Sequence, residues 1–156
     1  MKRILIALAA TLLTAGLMPA AEPVVSSEAA VMKTVDQFVN AFNKGDTKAM
    51  LTVGQEQMSI IDEFPPHEWH GAGAFAKWMS DFDADAAKHG ITDPAVSIGK
   101  PAHIDVTGDD AYVVLKANYS FKRRGKLEEE IGSILTISLH KSAAGWRLTG
   151  WAWAKR

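Results

Sequence analysis

The spacing of apolar residues changes once along the chain, at Asp93-Pro94, and this change separates a helical half from a sheet half. Before it, apolar side chains recur every three or four residues, which is the period of an amphipathic helix. After it, apolar and polar side chains alternate, as in a half-buried strand. Four such strands are predicted, joined by tight turns near 108–110, 123–125 and 142–145. Because tight turns join antiparallel neighbours, we expect a meander.

Three helices are predicted in the first half. The first carries an apolar stripe and ends near Gly45, and the second is short and centred on Met50. The third carries Phe75, Trp78, Met79 and Phe82 on one face. A strand over 58–64 precedes it, followed by a proline-led loop. Three helices packed on a curved antiparallel sheet make a single α+β domain, with a cavity where the two layers diverge.

The first 21 residues have the pattern of a secretory signal peptide. Lys2 and Arg3 precede an apolar run over 4–18 that is closed by small residues and is too short to cross a bilayer comfortably. We therefore expect a linker at 22–27 and the folded domain at 28–156. The mature protein is expected to be periplasmic or secreted, without a membrane anchor. With no cysteine in the chain, it has no disulfides.

Charge and motifs exclude several classes of function. The chain has 17 basic and 18 acidic residues, so removing Lys2 and Arg3 leaves 15 against 18. This balance lacks the excess of positive charge that is typical of proteins that bind nucleic acid or an anionic membrane. His67 and His70 do not form the HExxH zinc pattern, although Asp62 is a conceivable third ligand. No phosphate loop or nucleophile motif is present, so neither a metal nor a cofactor is expected.

The order of elements resembles the nuclear transport factor 2-like superfamily, which includes ketosteroid isomerases and SnoaL-like polyketide cyclases. The resemblance covers about residues 28–154. Its most specific parts are a strand ending in an acid, Trp69 and Gly71 opening the third helix, and the closing segment Gly145-Trp146-Arg147-Leu148. It implies a cone-shaped α+β fold with a central pocket. Because this fold carries many activities, function has to be argued from the pocket.

The resemblance implies that Asp62 is the candidate general base, since it stands nine residues before Gly71 as the base does in the isomerases. Phe38 stands where those enzymes have an oxyanion-donating tyrosine, and it cannot donate a hydrogen bond. A carboxylate facing an apolar pocket would have a raised pKa and could relay protons. Alternation alone does not decide whether Asp62 faces inward.

Five further residues are candidates for the pocket or for an interface. His70 is the candidate proton-transfer partner of Asp62, and Trp69 and Tyr119 are expected, like Phe38, to line the pocket. In a regular last strand, Trp151 and Trp153 point away from the pocket. Paired tryptophans on an outer surface favour a homodimer interface. A bulge at Gly150 would instead turn both side chains into the pocket.

Three functional hypotheses follow. The first is an exported protein that binds a small apolar or aromatic molecule without necessarily turning it over. The second is a cofactor-independent isomerase or cyclase that uses Asp62 as its base, assisted by His70. The third is a non-enzymatic accessory domain that acts through the outer face of its sheet. An enzyme needs at least two converging polar groups, so the binding hypothesis is placed first.

Overall fold

The structure, a computed structural model, describes residues 26–156. The predicted signal peptide and all but the last two residues of the predicted linker lie outside this part of the chain. The elements follow in the order α1 (Ser27–Asn43), α2 (Thr47–Val53), β1 (Gly54–Ile61), β2 (Glu68–Ala72), α3 (Ala74–His89), β3 (Ile91–Thr107), β4 (Asp110–Arg123), β5 (Lys126–Ser142) and β6 (Gly145–Ala154).

The three predicted helices are present, and local sequence determines where they begin and end. The hydroxyl of Ser26 accepts the backbone N–H of Ala29 at 3.2 Å and caps α1. Asp46 caps α2 through the N–H of Ala49 at 2.9 Å. Gly90 ends α3 in the left-handed conformation, with φ of 65°. The apolar faces of α1 and α3 pack on the sheet and form the core with it.

One six-stranded sheet covers the helices, in the order β2-β1-β6-β5-β4-β3. The predicted α+β fold is confirmed, but the sheet is mixed, because β1 runs parallel to β6 while the other neighbours are antiparallel. Strand β2 was predicted as a loop. It has only five residues, and it follows a proline pair, so its alternating pattern is too short to stand out.

A bulge between β4 and β5 reverses the side-chain facing of β5 at its midpoint. Ala117 pairs with Ser133, whereas Tyr119 pairs with Glu130, so β5 carries an extra residue here. Gly132 takes a φ of 79°, and its N–H donates to the side-chain oxygen of Asn118 at 2.9 Å. The bulge turns Glu130 inward and leaves Ile131 62% exposed. Regular alternation along the strand would place Ile131 on the same apolar face as Leu135 and Ile137, and the bulge is the reason that it does not lie there.

A second bulge lies in β6, where Ser138 pairs with Gly150 but Leu139 pairs with Leu148. The extra residue, Thr149, puts Trp151 on the same buried side as Leu148. The prediction that Trp151 and Trp153 point outward was therefore wrong, and the bulged alternative describes the strand. Gly150 is needed at this point, because a Cβ atom there would lie 2.3 Å from the backbone oxygen of Ser59 in β1.

Candidate functional site

A cavity of about 340 Å³ opens between helices α1 and α3 and the inner face of the sheet. Its walls are mainly aromatic, and the rings come from both layers. The bulge in β6 supplies two of them, so the cavity depends on that irregularity. The rings that define it are Phe38, Phe42, Trp78, Phe82, Trp151 and Trp153.

Asp62 follows the last residue of β1 and lines this cavity. One carboxylate oxygen accepts the indole N–H of Trp78 at 2.9 Å, and the other accepts the backbone N–H of Glu63 at 2.7 Å. Trp78 belongs to α3, so this helix fixes the position of the Asp62 carboxylate. The side chain lies on the inward side of the strand end, which alternation alone could not decide.

Burial raises the pKa of Asp62 from 3.8 to about 6. The two hydrogen bonds oppose this shift, because both stabilise the charged form, while the negative charges of Glu63 and Glu130 add to it. At neutral pH the group is mainly ionised, yet it can take up a proton at little cost. This is the protonation behaviour required of a general base that works near neutral pH.

Two more carboxylates and a lysine line the cavity. The ammonium group of Lys155 lies 2.8 Å from a carboxylate oxygen of Glu63 and also pairs with Glu130. The second oxygen of Glu130, Oε2, is buried without a hydrogen-bond partner among the described residues. Regular alternation does not single out Glu130, because the bulge is what turns its side chain inward. The residue that could have indicated the bulge is Gly132, because a glycine inside a strand pattern often marks one.

Tyr119 lines the cavity, as predicted, and its ring packs at 6.3 Å from that of Trp153. Burial, reinforced by the charges of Glu130, Glu63 and Asp62, raises the pKa of Tyr119 above its usual range. The phenol therefore stays neutral at physiological pH and can donate a hydrogen bond. Phe38, also predicted for the pocket, packs against Trp151 with ring centroids 5.0 Å apart.

Two residues predicted for this site lie outside the cavity. Trp69 packs behind it against Phe64 and donates its indole N–H to Asp81 at 2.8 Å. His70 is exposed on β2, with Nδ1 3.4 Å from the hydroxyl of Ser59 and Nε2 3.3 Å from Glu68. The alternation of β2 explains both positions, because it turns Trp69 toward the core and His70 toward solvent. His70 is not placed to assist Asp62.

Two kinds of feature are absent from the described residues: a cluster of metal ligands and a helix able to span a membrane. Within residues 26–156, no three side chains of His, Cys, Asp or Glu are grouped so that they could hold a metal ion. In the same part of the chain, no helix is long and apolar enough to cross a membrane.

The family follows from the sequence and the fold together. The SnoaL-like domain family matches residues 31–152, which covers most of the chain and all or part of every element that builds the cavity. The chain belongs to the SnoaL-like family. Among proteins with a curated function, none matches this sequence. The family membership therefore identifies the domain and leaves its ligand to be argued from the cavity.

Solved structures share the fold of this SnoaL-like domain. A nuclear transport factor 2-like superfamily protein from Salmonella enterica serovar Typhimurium is 14% identical, with 83% of this chain and 93% of that chain covered and a TM-score of 0.68. An NTF2-like protein from Novosphingobium aromaticivorans is 16% identical, covering 82% and 80%, with a TM-score of 0.65. A ketosteroid isomerase-like protein from Erwinia carotovora atroseptica is 17% identical, covering 81% and 94%, with a TM-score of 0.61. At these identities the likeness shows the fold alone.

Proposed function

We propose that this SnoaL-like protein binds a small aromatic or apolar molecule in its central cavity. The observation that carries the proposal is the cavity of about 340 Å³ walled by aromatic rings from α1, α3 and β6. Sites for small molecules are typically concave, mostly apolar, and supplied with a few polar groups that orient the ligand. This cavity has that composition, with Asp62, Tyr119 and the Glu130–Lys155 pair as its polar groups.

The arrangement of the rings favours a flat ligand. Trp78 and Trp151 are perpendicular to one another with centroids 5.1 Å apart, and Trp78 stacks on Phe82 at 5.5 Å. A planar ring entering the cavity meets both ring faces and ring edges, and both kinds of contact are favourable between aromatic groups. The aliphatic wall residues Val39 and Leu135 complete an apolar surface.

A second candidate function is proton transfer without a cofactor, as in an isomerase or cyclase. The observation that favours it is a buried carboxylate, Asp62, facing the cavity with a pKa of about 6. Phe38 stands where the isomerases have an oxyanion-donating tyrosine, and its side chain cannot donate a hydrogen bond. Tyr119 is the neutral hydroxyl that lines the same space, and it would have to stabilise any oxyanion. One structural neighbour is described as ketosteroid isomerase-like, which agrees with this candidate.

The remaining expectations rest on sequence. Export to the periplasm or beyond is proposed from the apolar run over 4–18, which lies outside the described residues. A homodimer through Trp151 and Trp153 loses its basis, because both side chains line the cavity. The accessory-domain hypothesis loses the same two residues from the outer face of its sheet.

Filling the cavity should weaken binding while leaving the fold intact. Ala86 lines the cavity from α3, and we expect Ala86→Trp to weaken binding of 2-naphthylmethanol about tenfold or more, because the indole would occupy the ligand's space. Isothermal titration calorimetry measures the affinity. Ala84→Trp is the matched control, since Ala84 is exposed on the same helix. Equal affinity in both variants would show that the probe binds elsewhere.

A further inference from the structure

We propose that the molecule bound in the cavity carries a positively charged nitrogen, as a protonated aromatic or alicyclic amine does. This inference rests on the proposed function and specifies the chemistry of the ligand for the same site. Its basis is the balance of charge around the cavity, the partners that each charged group already has, and the aromatic surface between them.

The charged side chains that line the cavity are unequal in number. Four of them are acidic and two are basic: Asp62, Glu63, Asp85 and Glu130 against Arg123 and Lys155. A histidine, His89, lies with Asp85 at the end of α3, with its Nδ1 3.2 Å from a carboxylate oxygen. The formal charge of the lining is therefore negative, and in a partly enclosed apolar space such charges act more strongly than in water.

The two cations of the lining are already engaged by carboxylates. Lys155 is shared between Glu63 and Glu130, so one positive charge faces two negative ones. Arg123 lies 3.0 Å from Glu128, a residue outside the cavity lining, and its guanidinium also lies over the ring of Phe121 at 5.2 Å. Neither cation is directed at Asp62. The negative charge of the cavity is thus only partly balanced by the protein itself.

Asp62 is held by neutral donors. Its two hydrogen bonds come from the indole of Trp78 and from a backbone N–H, and neither brings a positive charge. In the same lining, Oε2 of Glu130 is buried and lacks a hydrogen-bond partner among residues 26–156. Buried carboxylate oxygens are costly to leave without a partner. An ammonium group on the ligand would donate the hydrogen that Oε2 of Glu130 lacks and would bring a positive charge close to Asp62.

The walls between these carboxylates suit a cation as well. The faces of Trp and other aromatic rings attract a cation, and the attraction is strongest where water is excluded. Trp78, Trp151 and Phe38 form such a surface next to Asp62. A negatively charged group on the ligand would lack this attraction to the ring faces, and the carboxylates would repel it.

The titration of the neighbouring groups agrees with a negative potential in the cavity. Burial is the main cause of the raised pKa of Tyr119, and the charges of Glu130, Glu63 and Asp62 raise that pKa further. The three acidic side chains also affect one another, because the negative charges of Glu63 and Glu130 raise the pKa of Asp62 further. A bound cation would reverse this effect and favour the ionised form of each acid.

Three probes of one shape test the inference: 2-naphthylmethylamine, 2-naphthylmethanol and 2-naphthoate, titrated calorimetrically at pH 7.5. We expect the amine to bind about tenfold or more tightly than the alcohol, and the carboxylate to bind most weakly. If the alcohol or the carboxylate binds as tightly as the amine, the inference is wrong while the proposed cavity site stands. If none of the three binds, both proposals are wrong.

Two matched variants distinguish the effect of a negative charge inside the cavity from the effect of the protein's net charge. Asp62→Asn and Asp109→Asn change the net charge equally, but Asp109 lies in the exposed turn between β3 and β4. We expect Asp62→Asn to weaken amine binding about tenfold and alcohol binding by a clearly smaller factor, with no change for either probe in Asp109→Asn. If Asp62→Asn does not fold, Glu130→Gln is measured instead with the same expected pattern. Equal losses for the amine and the alcohol would overturn the inference.

Discussion

Replacing Trp151 by alanine is expected to lower the free energy of unfolding by about 3–5 kcal/mol, the range found for truncating a large aromatic side chain in a core. Trp151 is 6% exposed. Its ring lies 5.0 Å from that of Phe38 and 5.1 Å from those of Phe75 and Trp78. The substitution removes the contacts of three rings at once. It also enlarges the cavity, and the neighbouring side chains cannot move far enough to fill the space that the indole leaves.

Thermal and urea denaturation followed by circular dichroism measure this effect. For a domain of this size, the loss corresponds to a fall in Tm of about 10–20 °C. Tyr112→Ala is the control, because Tyr112 is an aromatic residue that is 45% exposed, and its replacement should change stability by about 0.5 kcal/mol or less. Similar losses in the two variants would mean that β6 is regular and that Trp151 faces outward.

Asp62 should make the folded state lose stability as the pH rises from about 4 to about 6. Because the folded pKa of about 6 lies above the ordinary value of 3.8, the folded protein binds the proton more tightly than the unfolded chain in this window. The contribution is fully present below pH 4 and is lost as the pH rises through 6. A shift of this size corresponds to about 2–3 kcal/mol.

Urea unfolding at intervals between pH 4 and pH 7.5 measures the contribution when the protein is compared with Asp62→Asn, which cannot titrate. We expect the stability of the protein relative to this variant to fall by about 2–3 kcal/mol across the window. Glu63, whose pKa is also raised by burial, titrates in both proteins, so the comparison measures Asp62 together with its effect on Glu63. Parallel curves for the two proteins would show that Asp62 is exposed to bulk water.

The architecture was predictable because it follows from patterns that are local in the sequence. The apolar stripe of α1 and the alternation of β3 to β5 each extend over enough residues to distinguish a helix from a strand. Turn residues then determine which strands are neighbours. The place of Asp62 in the cavity was reached by another route, from a resemblance to a family whose base stands at the same spacing.

The lining of the cavity was less predictable, because two single-residue bulges determine it. Strand facing has a period of two, so one extra residue exchanges the inner and outer sides of everything beyond it. This exchange brings Glu130 and both Trp151 and Trp153 into the cavity. Glycines at 132 and 150 mark the two places, but a glycine in a strand pattern signals that a bulge is permitted and does not establish one.

The claim that the cavity is the binding site can be tested through the indole N–H groups. The chain has five tryptophans, of which Trp78, Trp151 and Trp153 line the cavity, while Trp69 and Trp146 do not. The measurement is a nitrogen–proton correlation spectrum recorded during titration with 2-naphthylmethanol. We expect the three cavity resonances to shift together with one saturation curve and the other two to stay in place. Shifts confined to Trp69 or Trp146, or no saturable shift at all, would contradict the account.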